Sequence, residues 1–433
     1  MIRLVHRARH PFTENVVALA GSMTALGIAT LWVARTGGPV AVGDYALLRI
    51  LPWLLAVIIS GGLAQAISYF LAGPTRNDTR VRSTVIAIAI IAAIAGAVLW
   101  VIATPLLQRF FFKDLPVSLI VWVAIRVALR LFVITGKAAA QGTGDLAGSN
   151  RTILFEELLF LPAYGLLLTL QVPDLTAVIG ALILADLATG LLAWTRLYRR
   201  GFLVGAGRPS LQLARRIYVF GTRGQLGSLL SLLNLRFDFV FLAAIAGPAA
   251  LGIYAVASKY AEVVRVVPIA ANWVLYPRFA RSEPAIATAS SRKLIPRAGA
   301  VTATMALPLA LAAGAVVPML FGQPFGGAVL PAQILLIGLA VEGAAGVITA
   351  FLYGRGRPGL NSLAAGTGLI VTLVLDVILI PRLGTVGAAI ASSAAYLTTT
   401  LTLIAWYRHV TRSTPPPSIQ PMSEVLPSVA PSR

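Results

Sequence analysis

Five basic residues, Arg49, Arg223, Arg236, Lys259 and Arg265, fall inside apolar stretches that are each long enough to cross a bilayer. A cation at the centre of hydrocarbon costs roughly 2.5–3.5 kcal/mol on insertion scales. That cost is offset where the charge faces a polar cavity holding something negative. Two consecutive stretches near the middle of the chain carry Arg223, Arg236, Asp238, Lys259, Glu262 and Arg265. Four cations there meet two carboxylates, and Arg49, further upstream, adds to the excess. Lys259, Glu262 and Arg265 are spaced i, i+3, i+6, which places them on one broad helical face. One reading is an anion-binding site between helices. The other is interhelical salt bridging that fixes packing. The unpaired excess favours the anion site, because pairing alone needs no surplus of cations.

Other charged groups balance more closely. Arg126 and Arg130 are one helical turn apart, Glu156 and Glu157 follow, then Asp186, and Lys137 lies at a depth similar to Glu156. Near-equal signs predict structural pairing, with a coupling-ion or proton site as the alternative. Glu342 stands near the middle of its own apolar stretch, where it could carry a proton in a coupled cycle, pair with Lys259 or Arg265, or be a hydrogen-bonded core acid. Asp376 falls close to a helix end and to Arg382, which predicts an interfacial position. Several chemistries are excluded. The chain has no cysteine, so there is no thiolate nucleophile, disulfide or cysteine-bound zinc. No G-x-x-x-x-G-K-[ST] occurs, so the chain does not itself hydrolyse ATP. His6, His10 and His409 are terminal, which disfavours histidine-based catalysis. The composition calls for no cofactor and no metal.

The elements that position these groups follow from hydropathy. The chain of 433 residues is 58% hydrophobic and 12% charged, about half the charge of a soluble domain. About 20 residues at 1.5 Å each cross a ~30 Å hydrocarbon core. Twelve apolar spans are predicted, at about 14–35, 45–72, 83–107, 116–140, 151–171, 176–198, 214–246, 250–280, 295–321, 329–353, 359–380 and 385–407. Strand-like alternation is absent, which argues against a membrane β-barrel. The fold class is therefore an all-α polytopic membrane protein. The first span follows Arg3, Arg7 and Arg9 like a signal peptide, but it is too long for one and is expected to be retained.

Loop charges orient the spans. With the amino terminus in the cytoplasm, 24 of the 35 basic residues fall on the cytoplasmic side, 4 on the opposite side and 7 within spans. This is the positive-inside pattern, and it puts both termini in the cytoplasm. The net charge of +20 then reflects the membrane, and no nucleic-acid partner is expected. The longest internal loop, 199–216, divides the chain into two six-helix lobes, 1–204 and 205–412, with a Pro/Ser-rich cytoplasmic tail at 413–433 expected to be disordered. A parallel repeat is visible: GPVAVGDYA at 38–46 and GPAALGIYA at 247–255 match at six of nine positions. GTGDLAGSN at 142–150 and GRGRPGLN at 354–361 form a second pair at nearly the same offset. Gly221, Gly224, Gly227, Pro268 and Pro308 interrupt their spans, as hinges or as close-packing sites.

The stretch NLRFDFVFLAAIAGPAALGIYAVASKYAEVVRVVPIAANWVLYPRFAR at 234–281 resembles the seventh and eighth helices of Wzx-type polysaccharide flippases, members of the MOP superfamily. GDYALLRILPWLLAVIISGGLAQAISYFLAG at 43–73 echoes it, and GRGRP at 354–358 and GTVGAAIASSAAY at 384–396 are similar to the family's closing helices. The resemblance covers about 1–410. It implies two six-helix lobes around a central cavity and transfer of polyprenyl-diphosphate-linked oligosaccharide to the outer leaflet of a bacterial plasma membrane, for cell-surface polysaccharide. The diphosphate would be held by Arg49, Arg223, Arg236, Lys259 and Arg265, with Asp186, Asp238, Glu262 and Glu342 as pairing or coupling acids. Arg49 and Lys259 or Arg265 match the family's basic second and eighth helices, and Asp238 its helix-seven aspartate. Membrane lipids, a glycan polymerase and glycosyltransferases are the implied partners. A proton- or sodium-coupled multidrug exporter of the same superfamily is the alternative, using Glu342 and Asp186. Its usual first-helix carboxylate is missing here, where Glu14 sits only at the edge.

Overall fold

The computed structural model describes residues 2–73, 78–205 and 207–412, with side chains described outside 2–13, 223–232, 234 and 235. The described part is helical, with no strand among the described residues. In order, the helices are α1 (Ile2–Ser60), α2 (Leu63–Ala72), α3 (Thr79–Phe110), α4 (Val117–Gly142), α5 (Leu146–Leu158), α6 (Phe160–Thr169), α7 (Asp174–Arg199), α8 (Leu211–Glu262), α9 (Val266–Arg281), α10 (Pro284–Phe321), α11 (Val329–Ala340), α12 (Glu342–Gly354) and α13 (Pro358–Arg412). Nine helical stretches among the described residues are long and apolar enough to span a bilayer.

Three of the long helices fold back on themselves at a glycine. Gly38 in α1, Gly247 in α8 and Gly384 in α13 take φ of 68°, 82° and 53°, conformations that break the helix. Side-chain contacts show the reversal. Thr367 and Thr402 are hydrogen-bonded at 3.2 Å, although 35 residues of straight helix would hold them ~52 Å apart. Arg236 likewise meets Glu262 across Gly247 at 3.0 Å, and Leu26 and Ile50, either side of Gly38, line one cavity. The turns expected from sequence before the second, eighth and twelfth spans therefore lie at these glycines.

Smaller interruptions have local causes. The second span breaks at Gly61 and Gly62, with φ of 46° and 86°. The α5–α6 junction precedes Pro162, whose missing N–H cannot bond to Leu158. A 3₁₀ turn, Val263–Arg265, separates α8 from α9 one turn before Pro268 for the same reason. The second repeat pair shares a conformation: Gly144 and Gly356 both have positive φ, 81° and 69°.

The first repeat pair is a reciprocal contact. A Cβ on Gly43 would lie 1.8 Å from the Pro248 carbonyl oxygen, and a Cβ on Gly252 would lie 1.8 Å from the Pro39 carbonyl oxygen. Each copy thus presents its glycine to the other copy's proline, and backbone touches backbone. On the arginine-rich side, Gly62 packs on the Gly221 backbone in a second close approach, beside a cluster of Tyr69, Phe70 and Phe220 in which Tyr69 stacks on Phe220 at 4.5 Å. Gly221 therefore serves close packing, while Gly224 and Gly227 lie outside the residues with described side chains. Large apolar side chains such as Ile91, Ile94 and Ile102 on α3 are exposed, as a lipid-facing helix requires.

Candidate functional site

A cavity of about 290 Å³ lies between the α1 hairpin, α4 and α5 on one side and the α8 hairpin on the other. Its charged lining is Arg49, Arg130, Arg236 and Lys259 with Glu156 and Glu157. Tyr45, Trp53 and Phe239 contribute aromatic surface and Thr30 a hydroxyl. The reciprocal glycine–proline contact adjoins it, since Val42, Tyr45 and Ala46 belong to both the turn segment and the lining.

Hydrogen-bonded ion pairs hold the cations in place. Arg49 Nη2 donates to Glu157 Oε1 at 2.5 Å, with its guanidinium over the Tyr45 ring at 5.4 Å. The second Glu157 oxygen is buried without a hydrogen-bond partner. Lys137 donates to Glu156 at 2.8 Å. Across the cavity, Glu262 accepts from Arg236 at 3.0 Å and from Lys259 at 2.7 Å, and Arg236 lies over the Phe239 ring at 5.2 Å. Asp186 accepts from Arg126 at 3.0 Å and Arg130 at 3.1 Å, and Arg126 donates also to the Leu48 carbonyl. Seven cations within the spans thus share five carboxylates among the described residues. Both shortfalls, at Glu262 and at Asp186, involve a cation that lines the cavity. Charge-assisted donors in a low-dielectric hollow with surplus positive charge attract an anion, and guanidinium geometry suits phosphate oxygens.

The structure groups the sequence-nominated residues differently from the spacing. Arg49, Arg236 and Lys259 converge on the cavity, and Glu262 links the last two. Arg265 does not line it: it sits in the 3₁₀ turn, donates to Glu342 at 2.6 Å and lies over the Tyr396 ring at 5.6 Å. Six residues of α-helix rotate a side chain about 120° away from the starting face, which separates Arg265 from Lys259. Glu342 is accordingly paired, with one oxygen left buried and without a partner. Asp186 is committed to two arginines. Asp238 is buried off the cavity, accepting from Tyr254 at 2.5 Å and Ser392 at 3.0 Å. The Arg223 side chain lies outside the described residues. Asp376, expected at the interface, is fully buried with neither oxygen hydrogen-bonded, and Asp238 is an acidic neighbour. Its helix ends at a tight hairpin, so nearness to the end in sequence did not mean exposure. Arg130 as a cavity residue was missed. Its one-turn spacing from Arg126 was visible, but not that Arg126 takes the buried side of Asp186.

This is a multi-pass membrane protein with the architecture of MOP-superfamily transporters. It aligns with an inward-facing multidrug resistance MATE family transporter of that superfamily at 17% identity and TM-score 0.68, covering 92% of this chain and 98% of that one. It aligns with the lipid II flippase MurJ, inward closed, at 13% identity and TM-score 0.69, covering 91% and 87%. A MOP superfamily transporter from Pyrococcus furiosus aligns at 16% identity and TM-score 0.59, covering 93% and 96%. No curated protein matches. The family described as polysaccharide biosynthesis protein matches residues 16–283, and the chain belongs to that family. The resemblance to Wzx-type polysaccharide flippases read from the sequence agrees with this family, and the fold is the one these transporter and flippase structures share.

Proposed function

We propose that the protein is a flippase that moves polyprenyl-diphosphate-linked oligosaccharide from the inner to the outer leaflet of a bacterial plasma membrane. The observation that carries this reading is the cationic cavity, where Arg236 and Lys259 share the single carboxylate of Glu262. Membership of the polysaccharide biosynthesis family supports the glycan. We read each glycine hairpin as two spans, which with the other apolar stretches among the described residues is consistent with the twelve expected from sequence. On this reading they form two six-helix lobes, 1–204 and 205–412, with both termini cytoplasmic.

The diphosphate enters from the arginine-rich side, where Arg223 belongs by its position in the seventh span. In the cavity it joins Glu262 and Glu157 as a further anionic partner of Lys259, Arg236 and Arg49, with Arg130 adding field. The surplus cations gain an anionic partner while the carboxylates keep theirs, so the headgroup's charge is met by protein rather than by hydrocarbon. Arg265 and Glu342 act at one remove, fixing the α8–α9 turn against α12. The prenyl chain stays in lipid, the glycan occupies the hollow as it widens, and relative motion of the lobes hands the headgroup across. No covalent step is required. In the multidrug-exporter alternative, Asp186 and Glu342 would have to exchange the arginines they now meet for a coupling ion.

The test is translocation of a lipid-linked oligosaccharide in proteoliposomes. Lys259→Ala and Arg236→Gln are expected to slow transfer by at least tenfold, and Arg265→Ala to act mainly through stability. Wild-type rates in both cavity variants would remove the site.

A further inference from the structure

A second cavity, of about 300 Å³, lies on the arginine-rich side between α5 and the end of α7. It is separate from the central one and shares no lining residue with it. Arg151 from α5 and Arg196, Arg199 and Arg200 from the end of α7 all line it. Asp145 is the carboxylate that organises two of them: Arg196 donates to both its oxygens, at 2.5 and 2.9 Å, and Arg200 approaches at 3.5 Å. Gly148 leaves room for this pair, since a Cβ there would meet Asp145 at 2.3 Å and Arg196 at 2.8 Å. Arg151 and Arg199 have no ion pair among the described residues, and both are exposed.

The helix dipole favours arginines at the C-terminal end of α7, while Arg151, in the second turn of α5, lies beyond the reach of its own helix end. A deeper observation points the same way. Thr189 lines the cavity, its residue is 1% exposed, and its hydroxyl is buried without a hydrogen-bond partner. A threonine within a helix normally donates to a carbonyl one turn back, as Thr152 and Thr195 do in this same cavity, at 2.9 and 2.5 Å. Thr189 is left with an unpartnered hydroxyl in the wall of a cavity that four arginines also line. Phe155 and Leu192 form the apolar wall, and Leu192 is half exposed on the lipid-facing side of α7. The hollow holds the volume of about ten waters at ~30 Å³ each, enough for a phosphate and its ester carbons.

We propose that this cavity binds a phosphate-bearing anion at the membrane surface, with Arg151 and Arg199 as the free cationic clamp, Arg196 and Arg200 pre-set by Asp145, and Thr189 donating from the wall. The apolar wall fits the phosphodiester headgroup of an anionic lipid, whose first methylenes lie along Phe155 and Leu192. A free phosphate offers the same oxygens. The site goes beyond substrate transfer and stands whether or not the central cavity carries a lipid-linked glycan. Basic pockets between helices on the cytoplasmic side are suited to such headgroups.

The test uses the full chain, purified in detergent and stripped of lipid, in native mass spectrometry with three probes: dioleoyl phosphatidylglycerol, dioleoyl phosphatidylcholine and inorganic phosphate. The wild type is expected to retain phosphatidylglycerol at concentrations about tenfold below phosphatidylcholine, and Arg151→Gln with Arg199→Gln to remove about tenfold or more of that preference. Thr189→Val should weaken it further without changing charge. Preference for inorganic phosphate over both lipids, lost in the same double variant, would assign the site to a soluble phosphate. Identical binding of all three probes to the wild type and the double variant would overturn the proposal. Both arginines are exposed and unpaired, so the double variant leaves no buried partner behind, and an unchanged melting temperature verifies its fold. The charge-retaining pair Arg151→Lys and Arg199→Lys should lie between wild type and the glutamine pair.

Discussion

Replacing Gly43 with alanine tests whether the paired turns close the central cavity. The new Cβ would start 1.8 Å from the Pro248 carbonyl oxygen, whereas real Cβ atoms essentially never come closer than 3.0 Å. The two turns must therefore part by more than about 1 Å, and by about 1.7 Å to reach ordinary contact near 3.5 Å. The obstacle is backbone, so no side-chain rotation relieves it. Overpacking of this kind costs about 1–3 kcal/mol, charged only to the state in which the turns touch. That shifts the ratio of closed to open by roughly 5–150-fold. Gly252→Ala makes the equivalent clash with the Pro39 carbonyl oxygen, also at 1.8 Å. Because the chain lacks cysteine, Ala46→Cys in the cavity lining supplies a single reporter. Labelling of Ala46→Cys by a membrane-impermeant maleimide, applied from the side opposite the basic loops, should accelerate when either glycine is replaced. Gly314, whose added Cβ would meet nothing within 4 Å, provides the control substitution. If Gly43→Ala labels no faster than Gly314→Ala while both remain folded, the turns do not close the cavity.

Three further outcomes follow from the ion pairs. Glu262→Gln leaves Arg236 and Lys259 without their carboxylate and should destabilise the protein by about 3 kcal/mol, measured by thermal unfolding in detergent. A diphosphate probe should recover part of the loss by supplying the missing negative charge. Asp186→Asn strips Arg126, which is buried off the cavity, and Arg130, which lines it, and should cost about 3–5 kcal/mol, of which the probe recovers only the part belonging to Arg130. Asp145 gives an acid limit. Burial alone would raise its carboxyl, but the Arg196 hydrogen bonds, the Gly148 N–H and the charges of Arg196 and Arg200 outweigh that and hold it below its ordinary value of 3.8. Its contribution to stability is complete above that value and is lost as pH falls through the lower folded one. The unfolding temperature of the wild type should drop below about pH 4, and Asp145→Asn should flatten that part of the profile.

The helical stretches and their reversals were legible in the sequence, because they depend on apolar run length and glycine or proline punctuation, both local properties. Gly38, Gly247 and Gly384, the turn between α4 and α5 at Gly144, and the excess of cations could be read in this way. The copies at 38–46 and 247–255 were visible as text, and the structure turned them into a contact between the glycine of one and the proline of the other. Rotation about each helix axis was not legible. Each residue turns the side chain by ~100°, so an error of one residue, or a 3₁₀ turn such as Val263–Arg265, moves a group to another neighbour. That is why Lys259 faces the cavity while Arg265 meets Glu342, why Arg130 lines the cavity while Arg126 is buried, and why Asp376 is enclosed. Arg130 and Arg265 lie 56 and 77 residues from the carboxylates they meet, and only the packing of whole helices could decide which charge meets which.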